Sequence, residues 1–119
     1  MTQAPSAHTA NALALQLQPV PLAADAVLQG HPQTFHAPLE ASPDGRIRSG
    51  VWEITPGVVS DIEAEEMFVV LKGRARVSIE GGPTLNLAPG SVGFLRAGDR
   101  TIWQVSETLR KVYVSLGQQ

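Results

Sequence analysis

The chain has 119 residues, a formal net charge of -2 and no cysteine. This length suits one domain, which can bury enough surface to fold without disulfide bonds. The absence of cysteine excludes disulfide bridges, thiolate metal sites and cysteine nucleophiles. The nine basic residues all lie at or beyond Arg46 and alternate with acidic residues, so no basic surface predicts nucleic acid or a membrane as partner. The N-terminus lacks the early basic residues of a secretory signal, which makes the cytoplasm the expected location.

The composition changes near residue 45. Residues 1–45 contain six of the nine prolines and only three acidic residues. This bias predicts an extended N-terminal arm over 1–45, with residues 1–12 flexible, followed by a barrel domain over 46–119. Within the arm, residues 29–43 are expected to be irregular, with short extended pieces.

A short strand is predicted inside the arm. Leu13, Leu15 and Leu17 alternate with polar or small residues, which is the spacing of a strand. Pro19 and Pro21 would either end this strand or make it an edge strand, because proline cannot donate a ladder hydrogen bond.

The pattern becomes regular and strand-like from Arg46 onward. Apolar residues alternate or run together over short segments, at 51–54, 67–71, 74–80, 85–87, 92–94, 102–106 and 109–116. Proline and glycine turn signals separate them, and Gly81-Gly82 is a tight hairpin signal. Many short strands at this spacing predict an all-β antiparallel sandwich or barrel, without a helix longer than about two turns.

Glycine and glutamate spacing carries a family resemblance. Glu66 is followed by six residues and then Gly73, and Gly90 is followed by five residues, Arg96, Ala97 and Gly98. This spacing resembles the two signature motifs of the cupins, which are small jelly-roll barrels. Residues 50–114 are similar to the small single-domain cupins related to ureidoglycine aminohydrolase and to the ethanolamine-utilisation cupins. The words that carry the similarity are Gly50-Val-Trp-Glu-Ile-Thr-Pro-Gly57, Val70-Leu-Lys-Gly-Arg-Ala-Arg-Val77, Trp103-Gln-Val105 and Leu109-Arg-Lys-Val-Tyr113.

The resemblance implies one cupin barrel, and it also implies a homodimer, because small cupins frequently pair through their sheets. The histidines of the family motifs are missing. Their first pair falls on Ser60 and Ile62, or on Val59 and Asp61 if the gap is one residue longer, and the third falls on Thr101. A divalent metal needs several converging imidazole or carboxylate ligands. We therefore predict no metal and no cofactor.

Glu66 is the one ligand residue that the motif retains, and it is the strongest candidate for a functional group. Its motif position implies a side chain inside the barrel, where a carboxylate needs a hydrogen-bond partner, a cation or a proton. It would act as a general acid or base or bind a ligand amine. The alternative is a structural ion pair with an arginine inside the barrel, and the sequence leaves both open.

Further candidates share the barrel or its mouth. Strand alternation places Thr101 and Trp103 on one inward face, where Trp103 would form an apolar wall for a planar ligand or simply part of the core. Trp52 and Tyr113 have the same two interpretations. Arg96 and Arg48 would bind a carboxylate or phosphate, or remain solvated.

The remaining histidines and acidic residues give weaker predictions of a functional site. His31 and His36 are five residues apart with a proline between them, a spacing that does not form a local metal chelate. The sequence leaves open whether either histidine reaches the barrel. Asp61, Glu63 and Glu65 lack the spacing of a calcium loop and are interpreted as solvated charges on a turn.

Three functions are compatible with these residues. The first is a metal-independent barrel that binds a small organic molecule. The second is a small-metabolite enzyme, similar to an aminohydrolase or an isomerase, that uses Glu66 as acid or base. The third is a non-catalytic scaffold with a filled barrel. An open, polar interior would favour binding or catalysis, and a solid apolar interior would favour the scaffold. No nucleophile elbow, phosphate loop, zinc-protease motif or dinucleotide motif is present.

Overall fold

A computed structural model describes residues 7–117. Nine strands joined by short turns form most of this part of the chain, and one single-turn 3₁₀ helix lies at Ala24–Ala26. The strands are β1 Gln18–Val20, β2 Val27–Gln29, β3 Thr34–Ala41, β4 Ile47–Ile54, β5 Gly57–Ile62, β6 Glu65–Ile79, β7 Thr84–Leu87, β8 Val92–Leu95 and β9 Arg100–Leu116. No helix within residues 7–117 is long and apolar enough to cross a membrane.

The two longest strands, β6 and β9, connect two sheets into one barrel. The C-terminal part of β9 pairs with β4 and its N-terminal part pairs with β5. Strand β6 pairs with β9 along most of its length, and it pairs with β8 near its start and with β7 near its end. One layer thus has the order β1-β3-β4-β9-β6-β8, the other has the order β2-β5-β9-β6-β7, and every pair is antiparallel. This confirms the predicted all-β barrel.

The core lies between the inner faces of the two layers. Alternation sends every second side chain of β4, β6, β8 and β9 inward. The largest buried side chains are Phe68, Ile54, Leu95, Leu109, Val51, Val70 and Val77. With the exception of Val51, which lies on the outer face of β4, these residues form one continuous apolar cluster with Trp103.

The arm differs from its predicted form in two places. Residues 11–15 form a turn around Asn11, whose side-chain oxygen accepts the N–H groups of Leu13 and Ala14, so the predicted leucine strand is wrong. The first strand begins later, at Gln18, and includes Pro19. The segment expected to be irregular contains the eight-residue strand β3, which pairs with β4 on one side and β1 on the other. Of the residues predicted to be flexible, 1–6 lie outside the described residues.

Two predicted breaks in the barrel strands are bends instead. Lys72-Gly73 does not end a strand, since β6 continues to Ile79 with an irregular register against β9. The gap expected between 106 and 109 is likewise internal to β9. The hairpin at Gly81-Gly82 is confirmed, and only Gly81 adopts a positive φ, of 73°.

Gly73 allows β6 to pass from one sheet to the other. Its φ is +93°, a conformation that glycine adopts far more readily than other residues. A Cβ atom at this position would also overlap the backbone of Thr108 and Leu109 on β9. The bend therefore requires both the backbone freedom and the small size of glycine.

We expect Gly73→Ala to destabilise the protein by about 3 kcal/mol or more, because it adds a backbone clash to the strain of positive φ. Gly98→Ala is the matched control. Gly98 has a φ of +89°, and a Cβ atom added there would meet no other atom within 4 Å, so its cost should be only about 1 to 2 kcal/mol. Urea denaturation of both variants measures the difference. Equal losses would show that the close approach of β9 does not constrain Gly73.

Candidate ligand cavity

A cavity of about 440 Å³ lies between the inner faces of the barrel and the N-terminal arm. The residues that line it are Val20, Pro21, Leu22, Ala23, Ala26, Thr34, His36, Trp52, Val59, Ser60, Asp61, Glu63, Ala64, Glu66, Trp103, Lys111, Tyr113 and Ser115. Two larger grooves of about 710 Å³ lie on the outside of the barrel and are lined mainly by exposed or half-buried side chains. The inner cavity differs from both because buried charged groups form part of its wall.

Lys111 carries one of these charges. Its Nζ lies 2.5 Å from Glu66 Oε2, and both side chains are almost fully buried. The ammonium also lies over the rings of Trp52, Phe68 and Trp103, at 4.9, 4.7 and 5.0 Å from their centroids. A carboxylate and three aromatic faces therefore replace the water that a lysine ammonium loses on burial.

Glu63 carries the second buried charge. The residue is 8% exposed, and its Oε2 accepts hydrogen bonds from Thr101 Oγ1 at 2.7 Å and from Trp103 Nε1 at 3.1 Å. No donor within residues 7–117 bonds to the other oxygen, Oε1. Since no side-chain oxygen in this part of the chain is both fully buried and unpaired, Oε1 keeps some exposed surface, and Glu63 is one of the residues that line the cavity.

Asp61 lies at the rim of the same cavity, where solvent reaches it. Its Oδ1 accepts only the N–H of the next residue, Ile62. Partial burial and the negative charge of Glu63 raise the pKa of the Asp61 carboxyl, in that order of importance. Asp61 and Glu63 thus place two neighbouring carboxylates on one side of the cavity.

His36 and Tyr113 form a neutral pair on another part of the wall. A hydrogen bond of 2.6 Å joins His36 Nε2 to the Tyr113 hydroxyl. Burial lowers the pKa of His36, and burial followed by the charge of Glu66 raises the pKa of Tyr113. Both groups are therefore uncharged near neutral pH. A Cβ at Gly50 would lie 2.7 Å from the tyrosine oxygen and 2.8 Å from His36 Nε2, so glycine there leaves room for the pair.

The arm closes the cavity and is fastened to the barrel by Arg110. Its Nη1 donates to the carbonyl oxygens of Ala12, Leu13 and Leu15 at 2.9 to 3.2 Å, while its Nε donates to Glu53 at 2.8 Å. After this contact the arm pairs with β3 as strand β1, and residues 20–23 then form part of the cavity wall. The cavity consequently depends on both the barrel and the arm.

The sequence candidates divide into two groups. Glu66, Trp103, Trp52 and Tyr113 line the cavity, and Thr101 lies directly behind it through its bond to Glu63. The ion pair of Glu66 is made with a lysine, although an arginine was the partner expected from the sequence.

Neither Arg96 nor Arg48 lines the cavity, although the charge of Arg48 acts on Tyr113. Arg96 is 78% exposed and binds Glu65 outside the barrel, and Arg48 is exposed and donates to the carbonyl oxygen of Gly45. Of the two histidines whose reach was left open, His36 lines the cavity and His31 is exposed in an outer groove.

One cavity residue was missed, and one was misinterpreted. Lys111 shares strand parity with Trp103 and Tyr113, so alternation along β9 was a usable signal for it. Glu63 was expected to be a solvated charge and is buried, because Thr101 and Trp103 bond to it from the opposite strand. It lies in the short connection between β5 and β6, where no periodicity predicts its burial.

The cavity residues do not fit a metal ion. No group of three or more histidine or acidic side chains within residues 7–117 is placed to hold one. His36 Nε2 is engaged by Tyr113, Glu66 by Lys111, and the motif positions of the missing histidines are Ser60, Ile62 and Thr101. The positive charge beside Glu66 is supplied by the chain itself.

The fold and this site define a cupin-type barrel whose inner cavity is built without the family's histidine ligands. The model of the EutQ-like cupin domain matches residues 41–113, which is more than half of the chain. The chain therefore belongs to the EutQ-like cupin family. No curated protein matches it.

Solved structures agree on the fold. A protein of unknown function of the DUF861 family from Pseudomonas syringae pv. tomato is 28% identical with a TM-score of 0.76, and the alignment covers 87% of this chain and 45% of that one. The Clostridium difficile EutQ protein is 18% identical with a TM-score of 0.61, covering 71% and 63%. A cupin 2 conserved barrel domain protein from Rhodopseudomonas palustris is 15% identical with a TM-score of 0.67, covering 89% and 74%.

Breaking the buried ion pair should strongly destabilise the barrel. Glu66→Gln leaves the Lys111 ammonium without its carboxylate, and we expect a loss of about 3 kcal/mol or more in the free energy of unfolding. Glu66→Gln combined with Lys111→Met should cost less than the single change, because no unpaired charge remains. Glu65→Gln is the control, since Glu65 pairs with the exposed Arg96, and it should leave stability nearly unchanged. Urea denaturation measures all three. A Glu66→Gln variant as stable as the wild type would contradict a structural role for the pair.

Proposed function

We propose that this cupin binds a small organic molecule in the inner cavity without a metal ion. The observation that carries the proposal is an inner cavity of about 440 Å³ whose wall combines apolar and aromatic side chains with a few placed polar groups. This is the usual composition of small-molecule sites. Trp52 and Trp103 supply flat apolar surface, and Glu63, Asp61 and the His36–Tyr113 pair supply polar atoms.

The cavity favours binding over the scaffold alternative. A scaffold protein needs only a filled barrel. It gains nothing from a carboxylate in the wall of a cavity, because removing such a group from water costs free energy. The apolar cluster fills the other part of the interior, around Phe68, Val77 and Leu109. The space next to Trp103 is left open and polar.

The enzyme alternative has less support from Glu66. Its Oε2 is held by Lys111 at 2.5 Å, an ion pair that serves the stability of the wall. Acid–base chemistry on a bound molecule would fall more readily to His36 and Tyr113, which form a short hydrogen bond at the cavity surface. No reacting group of a substrate is identified, so binding is the function that the geometry supports best.

A thermal-shift screen of the metal-stripped protein against small acids, amines, alcohols and sugars tests the proposal. A ligand present at about 100 times its dissociation constant should stabilise the fold by about 2.7 kcal/mol. Ser115→Leu, which narrows the cavity, should remove the shift, and Ser78→Leu on the outer groove should retain it. The shift should be the same with and without EDTA. A screen without any hit, or a hit unaffected by Ser115→Leu, would contradict binding in this cavity.

We also propose that the protein forms a homodimer through the outer face of the first layer, and that it acts in the cytoplasm. Large apolar residues of neighbouring strands lie exposed on this one face, namely Ile47, Met67, Val92, Phe94, Val114 and Leu116. Met67 lies opposite both Phe94 and Val114, and Ile47 opposite Leu116, so the residues form a continuous patch. The Glu65–Arg96 ion pair lies next to Leu116 and Phe94, and a two-fold axis would pair the apolar residues of the patch with one another.

Light scattering during gel filtration should give a mass near twice 12.7 kDa for the wild type. Phe94→Glu places a charge in the middle of the patch and should yield a monomer that keeps its fold by circular dichroism. Ile102→Glu is the control, because Ile102 is an exposed apolar residue of the opposite layer. A wild-type monomer, or a dimer that withstands Phe94→Glu, would contradict this interface.

A further inference from the structure

Charge inside the cavity is unbalanced. Three carboxylates line it, those of Asp61, Glu63 and Glu66, and the one ammonium is that of Lys111. The His36–Tyr113 pair adds no charge near neutral pH, because the pKa of His36 is lowered and that of Tyr113 is raised. Lys111 is already committed to Glu66 at 2.5 Å. Within residues 7–117, therefore, neither Asp61 nor Glu63 forms an ion pair, and Lys111 acts on Asp61 only as a nearby charge.

Glu63 shows where a cation would bind. The side chain is held rigidly by two donors on the same oxygen, Thr101 Oγ1 and Trp103 Nε1. Its second oxygen has no donor within residues 7–117 and is not fully buried, and Glu63 lines the cavity. A residue that is 8% exposed has lost most of its water, so this oxygen gains more from a charged donor than a surface carboxylate would.

The chain already contains one buried cation that is bound by a carboxylate and aromatic rings. The Lys111 ammonium is held by one carboxylate and by the faces of Trp52, Phe68 and Trp103. Trp52 and Trp103 also face the open part of the cavity. A second cation entering there would meet a comparable environment, with the carboxylates of Glu63 and Asp61 and aromatic surface nearby.

We propose that the ligand of this cavity carries a cationic nitrogen, an ammonium or guanidinium group, which donates to Glu63 Oε1 and to the Asp61 carboxylate while its carbon skeleton lies against the two tryptophans. This inference rests on the proposed binding function and adds the chemical class of the ligand. Anionic ligands are excluded on the same grounds, since they would face two unpaired carboxylates.

The probes n-butylammonium, n-butanol and butyrate are similar in size and differ in charge. They therefore separate the effect of ligand charge from the effect of ligand shape. The Trp103 indole N–H is a direct reporter, because it donates to Glu63, and its resonance can be followed by NMR during titration of the metal-stripped full chain. At about 0.15 M salt, where exposed charges are screened, butylammonium should shift this resonance and bind about ten-fold tighter than butanol or better. Butyrate should not bind.

Two variants test the residues separately. Asp61→Asn and Glu63→Gln each remove one charge at nearly constant volume, and each should reduce the preference for butylammonium over butanol by about ten-fold. Asp61 lies at the rim, so its variant remains informative if Glu63→Gln disturbs the fold. Glu65→Gln is the matched control, since Glu65 is a neighbouring carboxylate that binds Arg96 outside the cavity, and it should leave the preference unchanged.

The outcomes distinguish this inference from the function on which it rests. Butanol or butyrate binding as well as butylammonium would overturn the cationic class and leave the binding cavity intact. The same holds if the thermal-shift screen finds only acids or sugars. Absence of any response, both here and in the screen, would overturn the binding function itself. A butylammonium response that Asp61→Asn and Glu63→Gln both retain would place the cation elsewhere and refute the inference.

Discussion

A lysine ammonium buried among three aromatic rings organises the interior of this barrel. Lys111 lies on the C-terminal part of β9, Trp103 on its N-terminal part, Trp52 on β4, and Glu66 and Phe68 on β6. One charged atom therefore contacts elements of both layers. The free energy of burying it is recovered only if Glu66 and the rings hold their positions, so the same interaction fixes the shape of the cavity wall.

This arrangement also explains how the motif glutamate persists without the motif histidines. The positions of those histidines hold Ser60, Ile62 and Thr101 (or Val59, Asp61 and Thr101). A buried carboxylate left alone there would have to lose its charge or destabilise the fold. Lys111 supplies the compensating positive charge from within the chain. The pair with Lys111 thus gives Glu66 a structural partner that does not depend on a metal ion.

The sequence predicted the barrel well because its signals are local. Alternation in residues 74–80 and the Gly81 turn depend only on near neighbours, and strand parity was enough to predict that Thr101 and Trp103 share one face. The predictions were wrong for segments whose structure is determined by contacts with residues far away in the sequence. The segment with Pro38 forms strand β3 because β4 and β1 pair with it, at the cost of a register shift near the proline. Glu63 is buried by partners 38 and 40 residues away, which no local pattern records.

The arm contributes cavity residues that lie outside the matched family model. The family match begins at residue 41, whereas His36 and the wall residues 20–23 precede it. Arg110, inside the matched segment, fastens the arm through three backbone carbonyl groups, a contact that constrains the path of the arm but not its side chains. The side chains of the arm can consequently change without loss of the hydrogen bonds to Arg110. Part of the cavity wall therefore lies in a segment that the match to the family does not cover.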